Sequence, residues 1–129
     1  MSRKADYQGN CFEVAGALVL DSPQDTLLLA HGICTGRGRI AGLVFGHAWV
    51  ECGDFVIDRS NGNDITAERE MYYAIGACRS VRLYTKDQTR KMLLRYRHWG
   101  PWPEDGEINE TNHLTRIKPL GKLRKEKRP

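Results

Sequence analysis

The segment 46–58 constrains the fold most strongly, because two short apolar runs in it flank a turn. The runs are rich in β-branched and aromatic residues with strand-like alternation, and the glycine in Cys52-Gly53 suits a tight turn. This pattern predicts a β-hairpin. A two-residue loop at Cys52-Gly53 pairs His47 with Asp58, whereas a three- or four-residue loop would shift the pairing.

In the two-residue register His47 lies directly opposite Asp58, with Cβ atoms about 4.5–5.5 Å apart. A carboxylate at that distance holds one imidazole nitrogen and fixes the tautomer of the ring. Such a pair supplies the base and the orienting group of a catalytic triad. Taken singly, His47 is more typical of an ordinary strand histidine, and Asp58 of the start of a turn. Their coincidence across the hairpin, together with a separate cysteine at a helix start, favours the catalytic interpretation for the set.

The alternation also gives the two faces of the hairpin different properties. One face is apolar and predicts a core contact: Ala48, Val50, Phe55 and Ile57. The opposite face carries His47, Trp49, Val56 and Asp58. We therefore expect one face to pack against the rest of the protein and the other to carry the chemistry.

Cys11 is the candidate nucleophile, because it follows the turn-prone pair Gly9-Asn10 and opens an apolar run. The run has helical spacing, which predicts a helix that begins at Cys11 and ends at Asp21-Ser22-Pro23. A helix N-terminus and a nearby imidazolium both favour the thiolate, which is the nucleophilic form of cysteine.

The same helix start predicts an oxyanion site. The backbone N–H of Cys11 would be unpaired in the first helical turn and able to donate to a developing negative charge. Gln8 or Asn10 is the candidate second donor, with an ordinary turn residue as the alternative for each.

The rest of the chain predicts an α+β layout. Thr85 and Gln88 form a capping box that begins a helix ending near Gly100-Pro101. Strands are expected over 27–34 and 81–84, and a short helix over 66–76. The expected fold is an antiparallel sheet packed against the N-terminal helix that carries Cys11.

The chain of 129 residues is long enough for one core and too short for two. We expect a single domain over residues 1–117 and a flexible tail over 118–129, which has six basic residues and one acidic residue. Such a tail is usually solvated, with weak attraction to nucleic acid as the alternative. The chain has no familiar nucleic-acid-binding motif, which disfavours that class.

Cysteine spacing and hydropathy set the expected compartment. The four cysteines are scattered singly, so neither structural zinc nor a disulfide framework is expected. Cys34 and Cys78 end apolar runs and are interpreted as small buried hydrophobic residues, and Cys52 as a turn residue. No membrane span and no secretory signal are expected, which predicts a cytoplasmic protein.

Three pieces of the sequence follow one another in the order Gln8-Gly9-Asn10-Cys11-Phe12, His47-Ala48-Trp49-Val50-Glu51 and Asp58. Together they resemble the Cys–His–Asp core of the papain-like superfamily. The His-Ala-Trp-Val-Glu string is especially similar to transglutaminase-like proteins. The resemblance covers roughly residues 7–62. It implies thiol-dependent cleavage or transfer at an amide of a peptide or protein, through an acyl-enzyme on Cys11 and with no metal or cofactor.

Two features depart from the superfamily pattern. In papain-like peptidases the oxyanion glutamine lies farther upstream of the cysteine than Gln8 does here. The chain is also short for a transglutaminase, whose acyl-acceptor cleft needs more surface. Both features favour a minimal peptidase or amidase.

The segment 96–102 is a dense aromatic cluster beyond the resemblance. It is interpreted either as a hydrophobic plug at one edge of the domain or as part of a substrate groove, with Trp99 and Trp102 joining Trp49 in the wall. A rival class for the whole chain is a non-catalytic binding or inhibitor protein, for example one encoded by a phage, that retains Cys11 as a structural residue.

Overall fold

The structure, a computed structural model, describes residues 2–103, with side chains from Asn10 onward. It contains three α-helices and five strands in this part of the chain. The elements are α1 (Ser2–Asp21), β1 (Leu28–Thr35), β2 (Val44–Cys52), β3 (Phe55–Asp58), β4 (Ile65–Glu68), α2 (Arg69–Gly76), β5 (Arg79–Tyr84) and α3 (Lys86–Tyr96). Two 3₁₀ turns, Gly38–Ile40 and Ser60–Gly62, precede β2 and β4. The predicted boundary at residue 117 and the basic segment 118–129 lie outside the described residues.

The five strands of the described chain form one sheet in the order β4-β3-β2-β1-β5, with every neighbouring pair antiparallel. An α+β fold with an antiparallel sheet is therefore confirmed. β2 lies at the centre of the sheet; β1 pairs with it from Val44 to Glu51, and β3 pairs with its last residues, from Val50 to Cys52. Among residues 2–103, no helix combines the length and the apolar character needed to cross a bilayer.

The two faces of the sheet have separate cores. On one face, α1 and α3 cover the cluster Cys11, Ala15, Val19, Leu27, Leu29, Ala48, Val50, Tyr84, Met92 and Trp102. On the other face, Tyr72 and Tyr73 of α2 pack against Ala30, Cys34, Trp49, Val56 and Leu83. The predicted division of the hairpin into two faces agrees with this arrangement, except that Phe55, beside the turn, is exposed.

The hairpin register differs from the predicted one. Val50 pairs with Ile57 and Cys52 with Phe55, so the loop is Gly53-Asp54 rather than Cys52-Gly53. Gly53 has a φ of 61°, and a type II′ turn requires glycine with positive φ at its first loop position. Compared with the predicted register, each residue of β2 is aligned two positions farther along β3. A shift by an even number leaves every side chain on its predicted face.

The N-terminal helix begins at Ser2 and not at Cys11, although it ends at Asp21 as predicted. Gly9 and Asn10 are weak helix formers, but Asn10 is held by a tertiary bond, because its Oδ1 accepts from the backbone N–H of Asn61 at 2.8 Å. Cys11 is therefore a helix-interior residue. Its N–H lies where helices bond the carbonyl four residues earlier, so the predicted free oxyanion donor is wrong.

The remaining elements follow the predictions with two exceptions, the region 66–76 and the end of α3, which comes before the predicted stop at Gly100-Pro101. The strands predicted over 27–34 and 81–84 are β1 and β5, and the capping box at the start of α3 is present in both directions, between Thr85 and Gln88. In the region 66–76, only Arg69–Gly76 is helical, because Ile65–Glu68 pairs with β3 as strand β4. α3 ends at Tyr96, where Arg97 takes a left-handed conformation.

Candidate active site

His47 and Asp58 are brought together by the β2–β3 hairpin. Continuing the observed register places Asp58 level with Trp49, so the carboxylate approaches His47 diagonally on the same face of the sheet. The distance from His47 Nε2 to Asp58 Oδ2 is 3.2 Å. Both side chains are largely shielded from solvent, with 14% and 7% exposed respectively.

Two further residues hold the carboxylate in place. The N–H and the hydroxyl of Ser60 donate to Asp58 Oδ1, at 3.0 and 2.6 Å, and the Tyr72 hydroxyl donates to Oδ2 at 2.6 Å. Burial would raise the pKa of Asp58, but the hydrogen bonds from His47, Ser60 and Tyr72 outweigh it and hold the pKa well below its ordinary value. Asp58 is therefore a fixed negative charge beside the imidazole.

The charge on His47 follows from these neighbours. Burial would lower its pKa, but hydrogen bonds with Asp58 and Cys11 and the charges of both outweigh burial and raise the pKa to about 10. The Tyr72 hydroxyl lies 3.0 Å from His47 Nε2, and burial together with Asp58 raises the pKa of Tyr72. At neutral pH the site therefore contains a carboxylate, an imidazolium and a neutral phenol.

Cys11 reaches this cluster from the opposite side of the sheet. α1 packs along β2, with Phe12 next to Gly46, and the bond from Asn61 to Asn10 ties this part of α1 to the turn after Asp58. Cys11 lies near enough to His47 to be one of the causes that raise the pKa of the imidazole. Nε2 of His47 is bonded to Asp58 and Tyr72.

The space around the thiol is narrow. Cys11 is only 4% exposed, and it lines a crevice between α1 and the β2–β3 hairpin together with Asp58 and Ser60. The crevice has no room for a water molecule. Of the three predicted catalytic residues, Cys11 and Asp58 thus line one closed crevice rather than an open cleft, and His47 joins them through its bond with Asp58.

The two candidate oxyanion donors differ in what the structure describes. Gln8 lies within α1, and its side chain is outside the described part of the chain. Asn10 uses its carboxamide oxygen to accept from Asn61, which leaves the NH₂ group as a donor. An oxyanion role for Asn10 stays a prediction.

The predicted groove wall requires a correction. Trp49 is fully buried beneath Tyr72 and Tyr73, and its Nε1 donates to Glu51 Oε2 at 3.3 Å. Trp102 is buried in the helix-facing core. Neither ring can line an open groove, because each one fills the interior.

Trp99 and Trp102 instead join the C-terminal segment to the domain. Trp102 Nε1 donates to the carbonyl of His98 at 2.9 Å. Trp99 packs so closely on α1 that a Cβ added at Gly16 would lie 2.7 Å from its ring. This packing is that of a hydrophobic plug, the alternative interpretation of the 96–102 cluster.

Two residues of the site were not predicted from the sequence. Ser60 had a local signal, since an aspartate two residues before a serine commonly accepts from its backbone N–H in a turn. Tyr72 had none, because it lies 14 residues after Asp58 in a different element. Among residues 2–103, no group of three or more His, Cys, Asp and Glu side chains is arranged to hold a metal ion.

Comparisons of the chain with known protein families, with curated proteins and with solved structures found no match.

Proposed function

We propose that the protein is a small thiol-dependent hydrolase that cleaves an amide bond in a peptide or protein. The observation that carries the proposal is that the Asp58 carboxylate lies 3.2 Å from Nε2 of His47 and lines one crevice with Cys11. A nucleophile, a base and an orienting group in one place are what covalent acyl transfer needs.

The first chemical step uses the charge state of His47. In the proposed step the Cys11 sulfur, as the thiolate, attacks the amide carbonyl carbon while His47 carries its proton. The imidazolium then gives its proton to the departing amine as the C–N bond breaks. Cys11 is left as a thioester, and His47 is left neutral.

The second step regenerates the enzyme. Neutral His47 takes a proton from a water molecule that attacks the thioester carbonyl, and the C–S bond breaks to release the acid and the thiolate. Asp58 keeps the ring oriented and stabilises the imidazolium in both steps. An amine in place of water would give acyl transfer, as the resemblance to transglutaminase-like proteins implies.

The papain-like assignment is part of this proposal. It is supported by the residues of the resemblance, Cys11, His47 and Asp58, and by the antiparallel sheet against which α1 packs. The proposal places the protein in the cytoplasm, where free thiols persist. The substrate is an acyl donor small or extended enough to enter between α1 and the hairpin once the crevice opens.

Acyl-enzyme trapping tests the proposal. The full chain is incubated with p-nitrophenyl acetate and its intact mass is measured, followed by peptide mapping. We expect one acetyl group on Cys11, none in Cys11→Ala, and an unchanged level in the control Cys52→Ala. Acetylation spread evenly over the four cysteines, or retained in Cys11→Ala, would contradict the proposal.

A second candidate function is a non-catalytic binding or inhibitor protein. Burial of the Cys11 thiol and the closed crevice favour it, because an inert cysteine packs well in such a position. Iodoacetamide labelling separates the two. The hydrolase requires Cys11 to react faster than Cys52 and to slow in His47→Ala, whereas an inert Cys11 reacts slowly in both proteins.

A further inference from the structure

Two thiols outside the catalytic proposal lie next to each other. Sγ of Cys34, near the end of β1, is 3.4 Å from Sγ of Cys78, in the connection between α2 and β5. Both cysteines are free. A disulfide has an S–S length of about 2.05 Å, so bond formation requires the sulfurs to approach by only about 1.3 Å. Both side chains pack in the core under α2, as the sequence interpretation expects, and Cys78 is only half-buried there.

The two thiols differ in their tendency to ionise. The hydrogen bond with Cys78 lowers the pKa of Cys34, and the positive charges of His47 and Arg79 act in the same direction against burial. The same hydrogen bond and burial raise the pKa of Cys78. A lowered pKa on one thiol beside a raised pKa on its neighbour is the combination found in dithiol sites with a nucleophile and a resolving cysteine.

Arg79 is fixed beside the pair. Its guanidinium donates to Thr35 Oγ1 at 3.1 Å and to the Ala77 carbonyl at 2.6 Å, and these residues adjoin Cys34 and Cys78 respectively in the chain. An irregularity in the pairing of β1 with β5, where Ile33 aligns with Arg79, sets this position. A cation held at this place stabilises a thiolate.

We propose that Cys34 and Cys78 form a redox-active dithiol that a hydroperoxide converts into an intramolecular disulfide. The Cys34 thiolate attacks the terminal peroxide oxygen, the O–O bond breaks, and the leaving oxygen takes a proton and departs as water or an alcohol. The resulting Cys34 sulfenic acid is attacked by the Cys78 sulfur, its S–O bond breaks, and water leaves with the Cys78 proton. The two thiols together lose the two electrons that the peroxide gains.

The dithiol is connected to the element that positions Asp58. Cys78 Sγ lies 3.9 Å from the carbonyl oxygen of Tyr72, as a weak donor, and the Tyr72 hydroxyl bonds Asp58. A disulfide would join the end of α2 to β1 covalently. The redox proposal does not depend on hydrolase activity, because disulfide formation is measured by mass.

Cys34 is only 3% exposed, whereas Cys78 is half-buried, which predicts selectivity for a small oxidant. The reduced full chain is treated with hydrogen peroxide, quenched with iodoacetamide and mapped by mass spectrometry. We expect a linked pair of peptides containing Cys34 and Cys78, two hydrogens lighter than the free peptides and reversed by dithiothreitol. Cys34 should lose its free thiol about tenfold or more faster than Cys52.

Two variants sharpen the test. Cys78→Ser should stop at a Cys34 sulfenic acid that dimedone traps, and the control Cys52→Ser should form the disulfide at the unaltered rate. Oxidation of Cys52 as fast as Cys34, or a Cys34 sulfenic acid that persists in the unsubstituted protein, would overturn the proposal. The unsubstituted protein decides the question even where a variant fails to fold.

Discussion

His31 and His47 lie on neighbouring strands of one sheet, but their side chains point to opposite faces. His31 is enclosed by the rings of Phe12, Tyr84 and Trp102, at centroid distances of 4.9–5.1 Å. Within the described chain, neither of its ring nitrogens has a hydrogen-bond partner. Burial, with Arg82 on β5 acting in the same direction, lowers the pKa of His31 to about 3, whereas that of His47 is raised to about 10.

The difference between the two histidines shows that burial alone does not decide the charge of an imidazole. Both rings are shielded from water, which penalises the charged form. His47 has an anionic partner that reverses the penalty, and His31 has only aromatic rings and a cation. His31 is thus a neutral core residue, whereas His47 is a charged group available for proton transfer.

The largest expected effect is the loss of acylation when His47, the charged histidine, is replaced. His47→Ala should lower the rate constant of Cys11 acylation about 10³-fold or more, because both thiolate formation and proton transfer depend on the ring. The measurement is a stopped-flow record of p-nitrophenol release. His98→Ala, which removes an exposed histidine, is the matched control and should react at the unaltered rate. Similar rates in His47→Ala and His98→Ala would show that His47 is not the base.

Replacing the Asp58 carboxylate should bring the pKa of His47 closer to that of a histidine without a charged partner. Asp58→Asn should slow acylation about 10²-fold and move the loss of activity at high pH to lower pH, because the imidazolium is then deprotonated below its present pKa of about 10. The pH–rate profile of acylation from pH 6 to 11 measures both effects. An unchanged high-pH limb would mean that Asp58 does not set the charge of His47.

His31 should control stability in acid. Its pKa is lowered from 6.5 to about 3, so between those values the unfolded chain binds a proton that the folded protein excludes. The free energy of unfolding should therefore fall as pH decreases, by about 2–3 kcal/mol from pH 6.5 to 4.5. Urea unfolding at several pH values measures the slope.

His31→Leu provides the comparison for that slope, since leucine fills similar space and never ionises. We expect the loss of stability between pH 6.5 and 4.5 to become much smaller in His31→Leu, whatever the stability at pH 7. His98→Ala should keep the original slope. Equal slopes in all three proteins would place the acid sensitivity elsewhere.

The smallest expected effect concerns the residue that supports the anion. Tyr72→Phe removes one donor to Asp58 but leaves Ser60 and His47 in place, so acylation should fall less than about tenfold. Tyr73→Phe is the matched control, because the Tyr73 hydroxyl bonds Glu51 on the same face. A loss in Tyr72→Phe as large as that in Asp58→Asn would assign Tyr72 a direct role in catalysis.

The sequence predicted the faces of the hairpin better than its register. The face of each residue depends only on even or odd spacing, and the position of the loop depended on whether Gly53 stands first or second in the turn. His47 and Asp58 therefore form the predicted hydrogen-bonded pair, although the two residues lie diagonally across the strands rather than directly opposite each other.

Features set by distant contacts were beyond the reach of sequence patterns. Gly9-Asn10 reads locally as a turn, but a bond to Asn61, 51 residues away, holds Asn10 within α1. The role of Tyr72 and the contact of Cys34 with Cys78 also depend on how α2 packs on the sheet. None of these contacts has a local spacing that reveals it.

The most direct test of the account is an NMR titration of the imidazole resonances in the unsubstituted protein and in Cys11→Ala. If Cys11, His47 and Asp58 form one interacting unit, His47 should titrate near pH 10, its pKa should fall in Cys11→Ala, and His31 should remain neutral down to about pH 3. A His47 pKa near 6.5, or one that Cys11→Ala leaves unchanged, would contradict the convergence of the three groups.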